Sequence, residues 1–188
     1  MIKALLAQSS DIGVSVSHTT RQQRDGEIDG QHYHFVDTEA FQRSIDDGLF
    51  LEHAEIFGHY YGTSRASQHA LLDAGTDVIL EIDWQGAQQI RHSEPETCSI
   101  FILPPSLNAL QNRLENRKQD SKEVIERRLS QAREDMSHCN EYDYILINDD
   151  FESAVEQLRS IVIAQRSNSQ KTAMRYAELV AQLTKAAA

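Results

Sequence analysis

Three short, almost continuously apolar runs, each closed by carboxylates or prolines and each leading into a helical segment, constrain the fold of this chain more than anything else in it. Asp77-Val78-Ile79-Leu80-Glu81-Ile82-Asp83, Ser99-Ile100-Phe101-Ile102-Leu103 and Asp143-Tyr144-Ile145-Leu146-Ile147 lack the alternation of a half-exposed strand. Strands that are apolar on both faces belong between two layers of helices. Pro104-Pro105 stops the second run and Ser106 caps the helix after it, while Asn148-Asp149-Asp150 ends the third and opens an amphipathic helix over residues 151–165. Strands alternating with helices predict an α/β fold with a doubly wound parallel sheet, whose ligands gather at the carboxyl ends of the strands. Arg21, Glu81, Asp83 and Asn148 fall at such ends.

The remaining segments read as follows from periodicity and turn chemistry. Residues 1–8 are helical without a capping side chain, and residues 13–17 form a short strand that hands His18-Thr19-Thr20-Arg21 to a loop. Gly26 and Gly30 flank acids in a turn pair before Tyr33-His34-Phe35-Val36 resumes as strand, and residues 37–47 are a capped helix closed by Gly48. Residues 50–57 and 60–63 form a hairpin about Gly58-His59, and residues 64–74 a helix ended by Gly75. Residues 107–140 predict two helices around Gln119-Asp120-Ser121, with the chain's concentration of arginine; residues 169–185 predict one peripheral packing helix. Trp84 is expected against the sheet, His18, His32 and His34 in loops or at the surface. Of the adjacent Tyr60 and Tyr61 only one can face a pocket, and Tyr60 is assigned to the core.

A length of 188 residues with 40% hydrophobic content supports one domain with a real core. The formal charge of −11 excludes a nucleic-acid surface or an anionic membrane as partner, so any bound phosphate must be met by local arginines. The first eight residues are far too short to cross a membrane and carry no cleavage pattern. Cys98 and Cys139 make neither a disulfide framework nor a zinc site, which fits the cytoplasm, and no metal-ligating cluster is visible. The sequence carries no signal for an oligomeric state.

Between Ser15 and Thr63 lie the parts of an anion and purine pocket: Arg21 and Arg24, then Tyr33, Glu52, Tyr61 and Thr63. Arginine forks bind phosphate, tyrosine hydroxyls add neutral donors, and a carboxylate accepts from adjacent N–H groups on a guanine edge. The ordered set Ser17-His18-Thr19-Thr20-Arg21-Gln22-Gln23-Arg24-Asp25-Gly26-Glu27-Ile28-Asp29-Gly30, Tyr33-His34-Phe35-Val36, Tyr60-Tyr61-Gly62-Thr63, Leu80-Glu81-Ile82-Asp83-Trp84-Gln85-Gly86 and Ile147-Asn148-Asp149-Asp150 resembles the guanylate kinase family, its bacterial form in particular, over essentially the whole chain.

That resemblance implies a P-loop-type α/β core over residues 1–28 and 64–106, a small mixed β GMP-binding insertion over 29–63, a helical lid over 107–140, and further core with a C-terminal helix over 141–188. It implies transfer of the γ-phosphoryl group of ATP to GMP with Mg²⁺, GMP and ATP being the ligands. Arg21, Arg24, Tyr33 and Tyr61 would hold the GMP phosphate. Glu52, Thr63 and Asp83 would read guanine, with Ser17 and Glu81 lining the same pocket. Arg113, Arg117, Arg128 and Asp83 would act in transfer, Asn148 near the adenine. The family places a strand and a glycine-rich phosphate loop just before the helix that here begins at Ile2, and no G-x-x-x-x-G-K-[ST] occurs in this sequence. The expectation is therefore a guanylate kinase whose sequence starts at an internal methionine, with a gap in the central sheet. The alternative is a catalytically inactive module that binds GMP or a phosphopeptide, disfavoured by the retained Glu52, Thr63 and Asp83.

Overall fold

A computed structural model describes residues 1–116 and 122–185. In chain order the elements are α1 (Ile2–Leu6), β1 (Ile12–Val14), β2 (His18–Thr19), β3 (His34–Phe35), α2 (Thr38–Asp46), β4 (Phe50–Ile56), β5 (His59–Ser64), α3 (Arg65–Asp73), β6 (Asp77–Ile79), α4 (Trp84–Ser93), β7 (Ile100–Leu103), α5 (Leu107–Asn116), α6 (Lys122–Ser137), a 3₁₀ turn (His138–Glu141), β8 (Tyr144–Ile147), α7 (Phe151–Arg166), α8 (Ser169–Arg175) and α9 (Ala177–Thr184). Helix starts follow capping chemistry: the side chains of Asp37, Ser64, Asp83, Ser106 and Asp150 accept from backbone N–H groups in the first turns of α2, α3, α4, α5 and α7. α1 begins without such a cap, as its sequence predicts.

The parallel strands are present but divided. β1 pairs with β6 from Ile12↔Asp77 to Val14↔Ile79, and β7 with β8 from Ile100↔Tyr144 to Leu103↔Ile147, as two separate sheets. One apolar core serves both: Leu5 of α1, Ile12 of β1, Leu146 of β8, and Ala154 and Leu158 of α7, with Ile79 of β6 and Ile100 of β7 packed against them. Arg166, at the end of α7, reaches across to the other pair. Its guanidinium meets the Asp11 carboxylate at 2.7 Å and the Asp77 carboxylate, and donates to the Asp11 carbonyl at 3.1 Å. The two pairs are thus joined through helices and an ion-pair fork.

A second, mixed sheet has the order β3-β2-β5-β4. His18 and Thr19, expected in a loop, form β2, parallel to β3 and antiparallel to β5, because the chain after β1 runs into the edge of the hairpin and completes its hydrogen bonds. His18 is correspondingly half-buried, its ring 4.6 Å from that of His34 and 5.5 Å from that of Phe50, and burial lowers its pKa. The β4–β5 turn is Phe57-Gly58, one residue earlier than predicted, with φ of 53° and 80°. Two consecutive left-handed residues match the twist of a tight hairpin, and a phenylalanine there is unusual.

Three further expectations are corrected. The run at 77–83 is strand only to Ile79, since Asp83 turns away to cap α4. Trp84, expected against the sheet, stacks its ring on His138 at 3.8 Å and 7°. The tail is two helices broken at Tyr176, and its apolar residues face solvent, Met174 at 81% and Leu183 at 75% exposure. Helical spacing records an amphipathic stripe, not what covers it.

The shared core makes Leu146, 1% exposed, a test of this arrangement. Leu146→Ala is expected to cost about 2–5 kcal/mol in urea unfolding, because α1 and α7 cannot close on the vacated space independently.

Candidate active site

The site is built where the mixed sheet meets the N-terminus of α4. β4 carries a bulge between Phe50 and Glu52, the ladder passing from Phe50↔Ser64 to Glu52↔Thr63. A bulge offsets the strict alternation of a strand, so Phe50, Leu51 and Glu52 are all buried in succession. From the other side, the Gln89 side chain of α4 grips the backbone of β4, accepting from His53 N at 3.1 Å and donating to His53 O at 2.7 Å. Helix and strand are therefore clamped one residue from Glu52.

Glu52 is only 4% exposed. Its Oε1 accepts from the Thr63 hydroxyl at 2.6 Å, and Thr63 is itself fully buried at 0%. Ser17 Oγ lies 3.5 Å from Thr63 Oγ1; since the single Thr63 proton points to Glu52, Ser17 is the donor of that pair. Burial pushes the Glu52 carboxyl up to about 7, with the Asp83 charge adding to the rise and the Thr63 hydrogen bond opposing it. Asp83 serves as the α4 cap, its Oδ1 accepting from Gly86 N at 2.9 Å and Oδ2 from Gln85 Nε2 at 3.1 Å.

A second cluster gathers cations and phenols. Arg21 has its guanidinium 5.4 Å from the Tyr33 ring and 5.7 Å from that of Phe35, and Tyr61 faces the same guanidinium. Tyr33 and Tyr61 lie edge to face at 5.9 Å, and burial raises the Tyr33 phenol, with Glu81 among the charges acting on it. Glu27, which the sequence reading left in a turn, holds Arg21 at 2.7 Å through Oε1 and accepts from Arg24 N at 2.8 Å through Oε2. The hydrogen bond from Arg21 holds Glu27 below the ordinary carboxylate range. Arg24 joins by its backbone, with an exposed residue surface, in a loop and not a helix. Tyr60 stacks on Phe41 at 5.5 Å, on the core side, as adjacency on a strand requires.

The arginines of α5 and α6 and Asn148 occupy a third region. Arg113 of α5 donates to the Asn148 carbonyl at 2.7 Å, and Asn148 N donates to Leu103 O at 2.8 Å, so both sit at the carboxyl ends of β7 and β8. Beside them a cleft of about 550 Å³ is lined by Leu103, Pro104, Leu107, Arg133 and Met136. Arg127 and Arg128 of α6 lie 5.6 and 5.8 Å from the Phe57 ring at the hairpin tip. Arg117 lies outside the described residues. The root of α6 is fastened by residues that sequence reading did not select: His138 stacked on Trp84, Asp135 at the Trp84 indole, and Glu141 accepting from Gln88 at 3.1 Å and Arg91 at 2.7 Å. Burial raises the Asp135 carboxyl.

Comparison with known proteins decides the family. The guanylate kinase family model matches residues 1–165. The chain belongs to the guanylate kinase family. It is 51% identical over 183 residues to the guanylate kinase of Psychrobacter arcticus, covering 97% of this chain and 88% of that one. It is 57% identical over 166 residues to that of Hahella chejuensis, covering 88% and 80%. The crystal structure of guanylate kinase from Anaplasma phagocytophilum superposes with a TM-score of 0.76 at 37% identity, over 89% of this chain and 81% of that one. The family fold is the P-loop type, and the bacterial resemblance holds.

Within this guanylate kinase family member, Glu52 gives a pH signature. A carboxyl at about 7 when folded and near 4.5 when unfolded binds its proton more tightly in the native state, so its stabilising effect is complete below about 4.5 and is lost as pH rises through about 7. The loss is of order 3 kcal/mol, from about 1.4 kcal/mol per pKa unit. Glu52→Gln keeps an acceptor for Thr63 and has no charge to bury. Urea unfolding at pH 5 and pH 8 is expected to show parent stability falling by about that much relative to the variant.

Proposed function

We propose that this chain phosphorylates GMP at the expense of ATP, yielding GDP and ADP, and that the two clusters described above are its acceptor site. The observation that carries the reading is the pairing of a buried carboxylate at Glu52, hydrogen-bonded by Thr63, with the Arg21–Tyr33–Tyr61 group. Guanine presents N1–H and N2–H side by side, which one carboxylate accepts together; adenine presents an acceptor at N1 and no N2 amine. AMP would leave Glu52 without that pair, which is a cost large enough to select. Ser17, Thr63 and Asp83 complete the guanine side, and Arg21, Arg24, Tyr33 and Tyr61 the phosphate side. In this reading residues 29–63 are the acceptor insertion and 107–140 the lid.

Transfer needs two phosphates in line, their charge neutralised and water excluded. Arg113 and Arg128, with Arg117, supply cations from the lid, and Asn148 with the cleft at Leu103 and Arg133 receives the donor nucleoside. Lid closure over the insertion excludes water. The acceptor oxygen is already anionic, so no general base is required. Magnesium is the expected companion of ATP, screening its phosphates. It would be carried by the ATP phosphates and water, and the Glu81 and Asp83 carboxylates, in the turn between β6 and α4, are the residues that would meet its water shell. No helix of the described residues is long and apolar enough to cross a membrane. The free thiols of Cys98 and Cys139 suit a reducing compartment, and we assign the protein to the cytoplasm.

Calorimetric titration with GMP and AMP, followed by an ATP- and Mg²⁺-dependent assay for GDP, tests the reading. Binding of GMP but not AMP is expected, weakened about tenfold to a hundredfold in Arg21→Ala through loss of a charge-assisted contact. Equal binding of both nucleotides would sink the assignment of Glu52; GMP binding without GDP would leave the inactive binding module.

A further inference from the structure

We infer that Gly86 is a specificity-determining position of this site: by having no side chain, it leaves the space in which the Glu52 carboxylate is held against the first turn of α4. Gly86 is buried and helical, so its backbone conformation is one that any residue adopts. The reason for glycine is space. A β-carbon placed there would overlap Glu52 Oε2, would lie 3.1 Å from Glu52 Cδ and would press on Ile82 Cβ at 3.3 Å. The overlapped atom is the far end of a flexible side chain, which gives way more cheaply than backbone. An added methyl group therefore acts on the carboxylate more than on the fold.

What the carboxylate would lose is defined by its other neighbours. Oε1 is pinned by Thr63 at 2.6 Å, with Ser17 behind it, while the Gln89 clamp on His53 fixes the distance between helix and strand. Neither element can retreat without breaking that clamp, so the displacement falls on the Glu52 side chain, out of its buried place. Two guanine N–H donors require both carboxylate oxygens in one plane and place. A shift of even half an ångström or so spoils such a bidentate geometry, because hydrogen bonds weaken steeply off their preferred angles.

This inference rests on the reading of Glu52 as the guanine acceptor, and a double-mutant cycle separates the two. GMP and AMP are titrated calorimetrically into the parent chain, Gly86→Ala, Glu52→Ala and the double variant. Gly86→Ala is expected to lose about tenfold or more in GMP affinity with AMP changed by less than about threefold, at a urea midpoint equal to or above the parent's, since alanine favours a helix. In the Glu52→Ala background the same substitution should change GMP affinity by less than about twofold. Parent-like GMP preference in Gly86→Ala overturns the inference, as does a loss that persists undiminished without Glu52. Parent-like GMP preference in Glu52→Ala overturns instead the guanine reading. Should the parent prefer neither nucleotide, stability decides: displacement of the carboxylate should shrink the loss between pH 5 and pH 8, and an undiminished loss overturns the placing of Glu52 by Gly86.

Discussion

Taking the Glu52 carboxylate out of water is the constraint around which the meeting of the mixed sheet with α4 is arranged. A buried carboxyl without adequate partners costs stability, and in this chain it sits at 4% exposure with one hydroxyl on it and a second carboxylate, Asp83, in its surroundings. Its position is over-determined by backbone devices: the bulge that aims β4, the Gln89 amide that binds α4 to β4, and the helix start fixed by the Asp83 cap. Strain of this kind persists where the surrounding structure is rigid enough to impose it, and a ligand bringing two N–H donors would relieve it.

Away from the site, the same helices that carry functional groups carry the fold. α7 contributes Ala154 and Leu158 to the core, and through Arg166 it ties the β7–β8 side of the molecule to Asp11 and Asp77 on the β1–β6 side. α6 is joined to the rest by aromatic contacts, Phe57 under Arg127 and Arg128, and Trp84 under His138 at its end.

What could be read from sequence follows a physical division. Apolar runs and capping residues are local, so the strand–helix alternation, the caps at Asp37 and Ser106, and the hairpin were legible to within a residue or so. Arg21, Tyr33, Glu52, Tyr61 and Thr63 could be selected because their chemistry suits a phosphate and a guanine edge. The partners that hold them were not legible. Glu27 on Arg21, Gly86 beneath Glu52, Gln89 on His53 and His138 on Trp84 depend on tertiary placement that no local pattern encodes. The split of the parallel strands into two sheets and the break at Tyr176 likewise reflect packing and backbone geometry beyond the reach of periodicity.

The stacking of Trp84 on His138 has an optical consequence. The chain contains one tryptophan, and it follows directly on Asp83 while its ring lies on His138, the residue just after α6. Its emission is thus free of any background from other indoles. A movement of the α6 root away from α4 would unstack the ring and expose it to solvent, and a ligand engaging Asp83 would disturb it from the opposite side. The molecule carries a native fluorophore at the joint between the start of α4 and the end of α6.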